Sequence, residues 1–238
     1  MSFGQKIAFD GNDLSPYILV TDVTRQVVPK RRITQTQIPG MDGALVSSVE
    51  LDPIEVTVKA CITRRLMPDV AEARRTLASA LSSKVPAPLF LPDEEGTYLM
   101  ALYEGGAEPS SLMSLPDIEL VFLASDPVAY GEHRKQKVSG TSVVNAGGTY
   151  PARPVVTVKP PSGSYWQITN VDTGEYVRVD ASFNGSQTVV MDFSSRRCTV
   201  NGTDHRVDIS SDFFELDGAQ MVKVSGGTAT LEWDERWL

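Results

Sequence analysis

Just past the midpoint of 238 residues, the apolar run Ile118-Glu119-Leu120-Val121-Phe122-Leu123-Ala124 meets Ser125-Asp126-Pro127-Val128-Ala129-Tyr130-Gly131, and the charged stretch Glu132-His133-Arg134-Lys135-Gln136-Lys137 follows. Proline has no amide donor and biases the preceding residue away from helix, so Asp126-Pro127 reads as the stop of a core strand. A domain at 1–131, a solvated linker at 132–140 and a second domain at 141–238 are therefore expected. With 41% hydrophobic residues, the chain has apolar surface enough for two cores.

The first half reads as β structure with one helix. From Glu50 to Thr63 the residues alternate, with Ile54, Val56, Val58, Ala60 and Ile62 on one side and Glu55, Thr57, Lys59 and Cys61 on the other, the pattern of a half-buried antiparallel strand. A helix is predicted over about 68–83, where Val70, Ala73, Leu77, Ala80 and Leu81 form a stripe at helical spacing. Pro68 suits a first helical position, Asp69 and Glu72 complement the positive helix start, and Pro86 ends the run. Further strands are expected at 88–91, 98–103 and 118–124, separated by acidic or Gly-Pro-Ser turns.

Residues 25–48 resist a core assignment. Thr and Gln alternate around the tip Ile38-Pro39-Gly40-Met41-Asp42-Gly43, which suits a long hairpin with two polar faces. Such an arm buries little against its own domain. Its free main-chain edges can pair with another chain without any apolar face.

Short strand patterns recur at even spacing through the second half: 155–159, 165–170, 176–181, 188–193, 197–200, 205–209, 221–225 and 228–234. This spacing favours a β-sandwich. Asn201-Gly202 between Thr199-Val200 and Thr203-Asp204 is a two-residue hairpin signal, because both central positions take positive φ.

Chemistry is absent from these patterns. His133 and His205 have no partner at catalytic or metal-ligand spacing, Cys61 and Cys198 stand alone, and Asp93-Glu94-Glu95 and Asp234-Glu235 read as turn and terminal charges. Neither a nucleophile elbow nor a phosphate loop occurs, so no enzyme, metal or cofactor is expected. The net charge of −8 argues against sequence-independent nucleic-acid binding as the main activity. No run has the length to span a bilayer, and Met1-Ser2-Phe3-Gly4-Gln5-Lys6 lacks a signal-peptide pattern, so a cytoplasmic origin is expected.

Taken in order, several short motifs resemble the distal tail proteins of long-tailed bacteriophages, the siphovirus tail component family. They are Phe9-Asp10-Gly11, the tip at 38–43, the alternating strand through Ile62, the helix, and the 126–131 join. The second half adds Gly147-Gly148-Thr149-Tyr150-Pro151-Ala152-Arg153-Pro154, Val200-Asn201-Gly202, and Phe213-Phe214-Glu215-Leu216-Asp217-Gly218 before Val224-Ser225-Gly226.

The resemblance implies a mainly β chain. A tail-tube-like β-sandwich with one flanking helix and an extended hairpin would precede a galectin-like β-sandwich. It also implies a structural virion protein at the tail tip, assembled in the bacterial host cytoplasm. Six copies would form a ring joining the tail-tube protein to a tail-tip hub, fibre or receptor-binding protein. Ring contacts would fall on the arm: Ile33, Thr34, Gln35, Thr36, Gln37, Ile38, Pro39, Gly40, Met41, Asp42 and Gly43. DNA would pass through the channel without specific binding, in keeping with residues 1–131 carrying 17 of the 30 acidic side chains against 11 of the 22 basic ones. The alternative is a carbohydrate-binding module whose second domain holds host glycans, with Trp166 or Trp233 as the stacking ring.

Overall fold

A computed structural model describes residues 6–63, 67–105 and 117–238, with the backbone alone at 67–70. The chain is mainly β and divides into two compact units between Tyr130 and Gly131. No described helix is long and apolar enough to cross a membrane. The expectations that rest on Met1–Gln5, on the side chains of Pro68, Asp69 and Val70, and on the turn before Ile118 lie outside the described residues.

The first unit contains β1 (Ala8–Phe9), β2 (Asn12–Asp13), β3 (Ile18–Arg25), β4 (Arg31–Thr36), β5 (Leu45–Leu51), β6 (Ile54–Ile62), α1 (Met67–Ala80), β7 (Ala87–Phe90), β8 (Leu99–Gly105) and β9 (Asp117–Ala124). Seven strands form one antiparallel sheet in the order β2-β1-β7-β8-β9-β6-β3, while among the described residues β4 and β5 pair only with each other. The alternation in β6 is realised residue by residue: Ile54, Val56, Val58, Ala60 and Ile62 are all buried. Ala73, Leu77 and Ala80 of α1, with Leu81 just after it, are buried, while Arg74 and Arg75 stay exposed. Phe9 and Phe122 lie 5.3 Å apart at the core centre, and each buried side chain of this size stabilises by roughly 1.5–3 kcal/mol.

One expected strand is really two. The run from Glu50 to Thr63 breaks at Asp52-Pro53, so β5 belongs to the hairpin and β6 to the sheet. Proline cannot donate to a ladder, which makes this a natural point for the chain to leave the sheet.

The second unit is all β: β10 (Ala129–Asn145), β11 (Val155–Val158), β12 (Gly163–Asn170), β13 (Tyr176–Phe183), β14 (Val189–Asp192), β15 (Arg197–Val200), β16 (Thr203–His205) and β17 (Ala219–Trp237). The first two residues of β10 precede the division. Strand order is β13-β12-β17-β11-β14-β15-β16, with β10 also on β17. Asn201 and Gly202 adopt φ of 51° and 78° and close the β15–β16 hairpin. The strand expected at 205–209 lies earlier, at Thr203–His205: only His205 of the expected run is paired, and Ile209 is fully exposed.

The two expected strands at 221–225 and 228–234 are one strand, β17. Its first part pairs with β12 and its second with β11. The switch falls at Gly226-Gly227, where φ of Gly227 is 73° and a Cβ on Gly226 would come within 2.9 Å of Pro161. Glycine lets a strand bend where its pairing passes from one neighbour to the other without such a clash.

The charged stretch at 132–140 is not a linker but part of β10. Its charges are answered across the ladder by β17: His133 meets Asp234 at 2.8 Å, Lys135 meets Glu232, and Arg134 donates at 2.9 and 2.8 Å to the buried carboxylate of Glu235. Opposite charges facing one another across a ladder favour strand pairing. Lys135 also holds the Glu232 carboxyl below its usual range.

Both cysteines are free thiols. Burial pushes the Cys198 thiol up to about 11. Cys61 donates to Asp117 Oδ1 at 2.9 Å, which also raises it. A thiolate is the reactive form, so folded protein at pH 8 is expected to label slowly with a thiol reagent and to react fast at both sites once denatured. Rapid labelling of Cys198 in the native protein would contradict its core placement.

Candidate assembly interface

The arm leaves the first unit between two prolines. Pro29 is buried, Lys30 O accepts from Asp52 N at 2.8 Å to tie the root, and Pro53 returns the chain to β6. Just before the root, Arg25 contacts Asp93 at 3.0 Å and Glu94 at 2.6 Å, fixing the end of β3 to the turn between β7 and β8. Beyond the root, every residue from Arg31 to Ser47 is exposed.

The register sorts the arm into two unlike faces. Arg31 pairs with Leu51 and Ile33 with Val49, while Arg32 pairs with Glu50 and Thr34 with Ser48. Cross-strand partners share a face. One face is thus polar, with Arg32 near Glu50 and Asp52 at 3.6 and 3.3 Å, exposed ion pairs worth at most about 1 kcal/mol each. The other face carries Ile33 and Val49 side by side, 55% and 53% exposed, and Arg31, whose charge has no ion-pair partner among the described residues. The arm therefore does not have two polar faces. The Thr and Gln residues of β4 gave that impression, but Val46, Val49 and Leu51 of β5 supply the apolar side, and they become visible as a set only once the register is known.

A bulge lies between the Thr34–Ser48 and Gln35–Val46 pairs, with the Ser47 hydroxyl donating to Thr34 O at 3.0 Å. Bulges twist a ribbon and redirect it. Thr36 closes the ladder opposite Leu45, and Gln37, Ile38, Pro39, Gly40, Met41, Asp42 and Gly43 form the tip. Met41 N donates to Ile38 O at 3.1 Å, and Gly40 and Gly43 take φ of 84° and 87°, conformations open to glycine at little cost. Ile38 and Met41 are also exposed. All eleven expected contact residues thus sit on one projection, together with four apolar residues of β5 that were not among them.

Elsewhere the side chains point to structure. No group of three His, Cys, Asp or Glu among the described residues could hold a metal ion. His205 Nδ1 lies 2.9 Å from Arg206 O on an exposed strand. Trp166 and Trp233 are buried, their indole N–H groups donating to Gly226 O at 2.9 Å and Ala146 O at 2.7 Å. Neither ring can stack on a sugar.

Family comparison agrees with this division of the chain. The family described as "Phage tail protein RIFT-related domain" matches residues 12–124, and "Siphovirus-type tail component, C-terminal domain" matches residues 147–237. The chain belongs to the siphovirus-type distal tail protein family. It is a structural component of a phage tail. The Distal tail protein of Bacillus phage SPP1 is 26% identical over 216 residues, covering 87% of this chain and 85% of that protein. The fold is that of the SPP1 Dit crystal structure, described as a paradigm of the hub adsorption apparatus in phages infecting Gram-positive bacteria. TM-score is 0.82 at 22% identity, over 98% of this chain and 99% of that one.

Proposed function

We propose that this distal tail protein assembles in the host cytoplasm into a homohexameric ring at the far end of the tail, joining the tail-tube protein to a tail-tip hub, fibre or receptor-binding protein. The observation that carries this reading is the arm. Among the described residues its two strand edges are unpaired, and Ile33, Ile38, Met41, Leu45, Val46 and Val49 are each at least 41% exposed. Apolar clusters of that kind on a projection mark a protein contact.

Closure into a ring needs a heterologous contact, one surface of each copy against a different surface of the next. A stable contact of this type buries on the order of 1,000 Å² or more. An arm that carries apolar side chains on one face and open main-chain edges along its sides can supply one half of it. The acidic excess of the first unit suits a channel through which DNA slides without adhering.

Light scattering of purified protein with negative-stain imaging tests the reading. The expected result is six-fold rings with a central hole, or monomers that form such rings when tail-tube protein is added. Monomers that stay monomeric in the presence of tail-tube protein would sink it.

A further inference from the structure

The ring reading leaves open where the arm lands. We infer that it seats, on a second copy, in the groove of about 530 Å³ formed where β1, β2 and the segment after β7 come together. This inference rests on the ring reading.

The groove has the chemistry that the bare face of the arm lacks. Its apolar lining comes from Ala8, Phe90, Leu91 and Pro92, and Phe90 is 40% exposed on the outward side of β7, packed against Tyr98 at 5.3 Å. Its rim carries Asp13, Glu94 and Glu95 against the single cation Lys6. Glu94 is shared with Arg25, but Glu95 has no ion pair among the described residues. On the arm, Ile33 and Val49 stand beside the unpaired charge of Arg31. Apolar side chains therefore meet apolar lining while Arg31 faces Glu95, and complementary charge of this kind sets register and speeds encounter more than it adds affinity.

Strand chemistry points the same way. β2 is the last strand of the seven-stranded sheet, and among the described residues nothing pairs with the outer edge of Asn12 and Asp13. The arm brings two free edges of its own, so main-chain pairing can continue from one copy into the next. The groove and the arm are different surfaces of one unit, as a heterologous ring contact requires.

Cysteine pairing between separate copies tests this. In a Cys61→Ser background, with Cys198 left in the core, one preparation carries Val49→Cys and another Phe90→Cys. Both are mixed under ring-forming conditions, with tail-tube protein where it is needed, and treated with a short bismaleimide. A two-chain product from the mixture, absent from either preparation alone, is the expected result, and a single chain bearing both substitutions should give a ladder of higher multimers. Rings without any cross-link would overturn the groove and leave the ring reading standing. A double variant that links only within its own chain would overturn it too, since the arm would then fold back in place. Failure to form rings at all would remove the ring reading and the groove with it. As a second arm, Arg31→Glu and Glu95→Arg should each slow assembly, and their combination should restore it.

Discussion

Replacing residues 35–47 with Asn-Gly is expected to give a folded protein that no longer forms rings. The replacement joins Thr34 to Ser48, which already face each other in the ladder, through a two-residue turn suited to a hairpin. Every residue removed is exposed, so no core contact is lost. Surface changes of this sort leave stability within a few tenths of a kcal/mol per site, and shortening a loop lowers the entropy cost of closing it. The melting temperature should therefore stay within a few degrees of the parent. Assembly should fail outright, because the excised piece carries the whole tip and Ile38, Met41, Leu45 and Val46, together with the outer ends of both open edges. Light scattering would then show monomers with or without tail-tube protein. Rings that persist in this variant would refute the role of the arm.

How much of this was legible beforehand depended on whether the deciding partner lay near in sequence. The alternation from Ile54 to Ile62 needed only its own period of two, and it places five side chains in the core. Asn201-Gly202 carried its own backbone preference, realised as two positive φ values. The stripe Ala73, Leu77, Ala80 was similarly local. Where partners are distant, the local pattern misled. Glu132 to Lys137 looked like solvated linker because the carboxylates that answer its charges lie about a hundred residues away, as His133 and Asp234 do with a separation of 101. Gly226-Gly227 looked like a turn, yet it is where β17 passes from β12 to β11, and only the packing of Pro161 and Trp166 against it shows why. The arm combined both cases. Its tip announced itself through Pro39-Gly40 and Asp42-Gly43, whereas its apolar face required the Ile33–Val49 pairing, and the break at Pro53 was hidden by an alternation that continues across it.

Trp166→Ala is expected to be the most damaging single substitution in the second unit, and its signature separates two roles for that ring. Trp166 is the largest fully buried side chain among the described residues, and its N–H reaches β17 where that strand passes from β12 to β11. Truncation removes a buried aromatic and leaves a cavity, a change that costs about 3–5 kcal/mol. It also deprives Gly226 O of its indole donor at the bend. For a unit of about a hundred residues, each kcal/mol lowers the melting temperature by roughly 4–8 °C, so a drop of more than about 10 °C is expected in the calorimetric transition of that unit. Trp166→Phe keeps most of the volume and loses the N–H, so its cost should be nearer the 1–3 kcal/mol of an unsatisfied buried acceptor. A ring that served as a platform for sugar would behave otherwise: Ala would abolish glycan binding and leave the transition where it was. Because arm and groove both belong to the first unit, the Ala variant should still form rings below its own transition, which ties loss of stability to the second unit and assembly to the first.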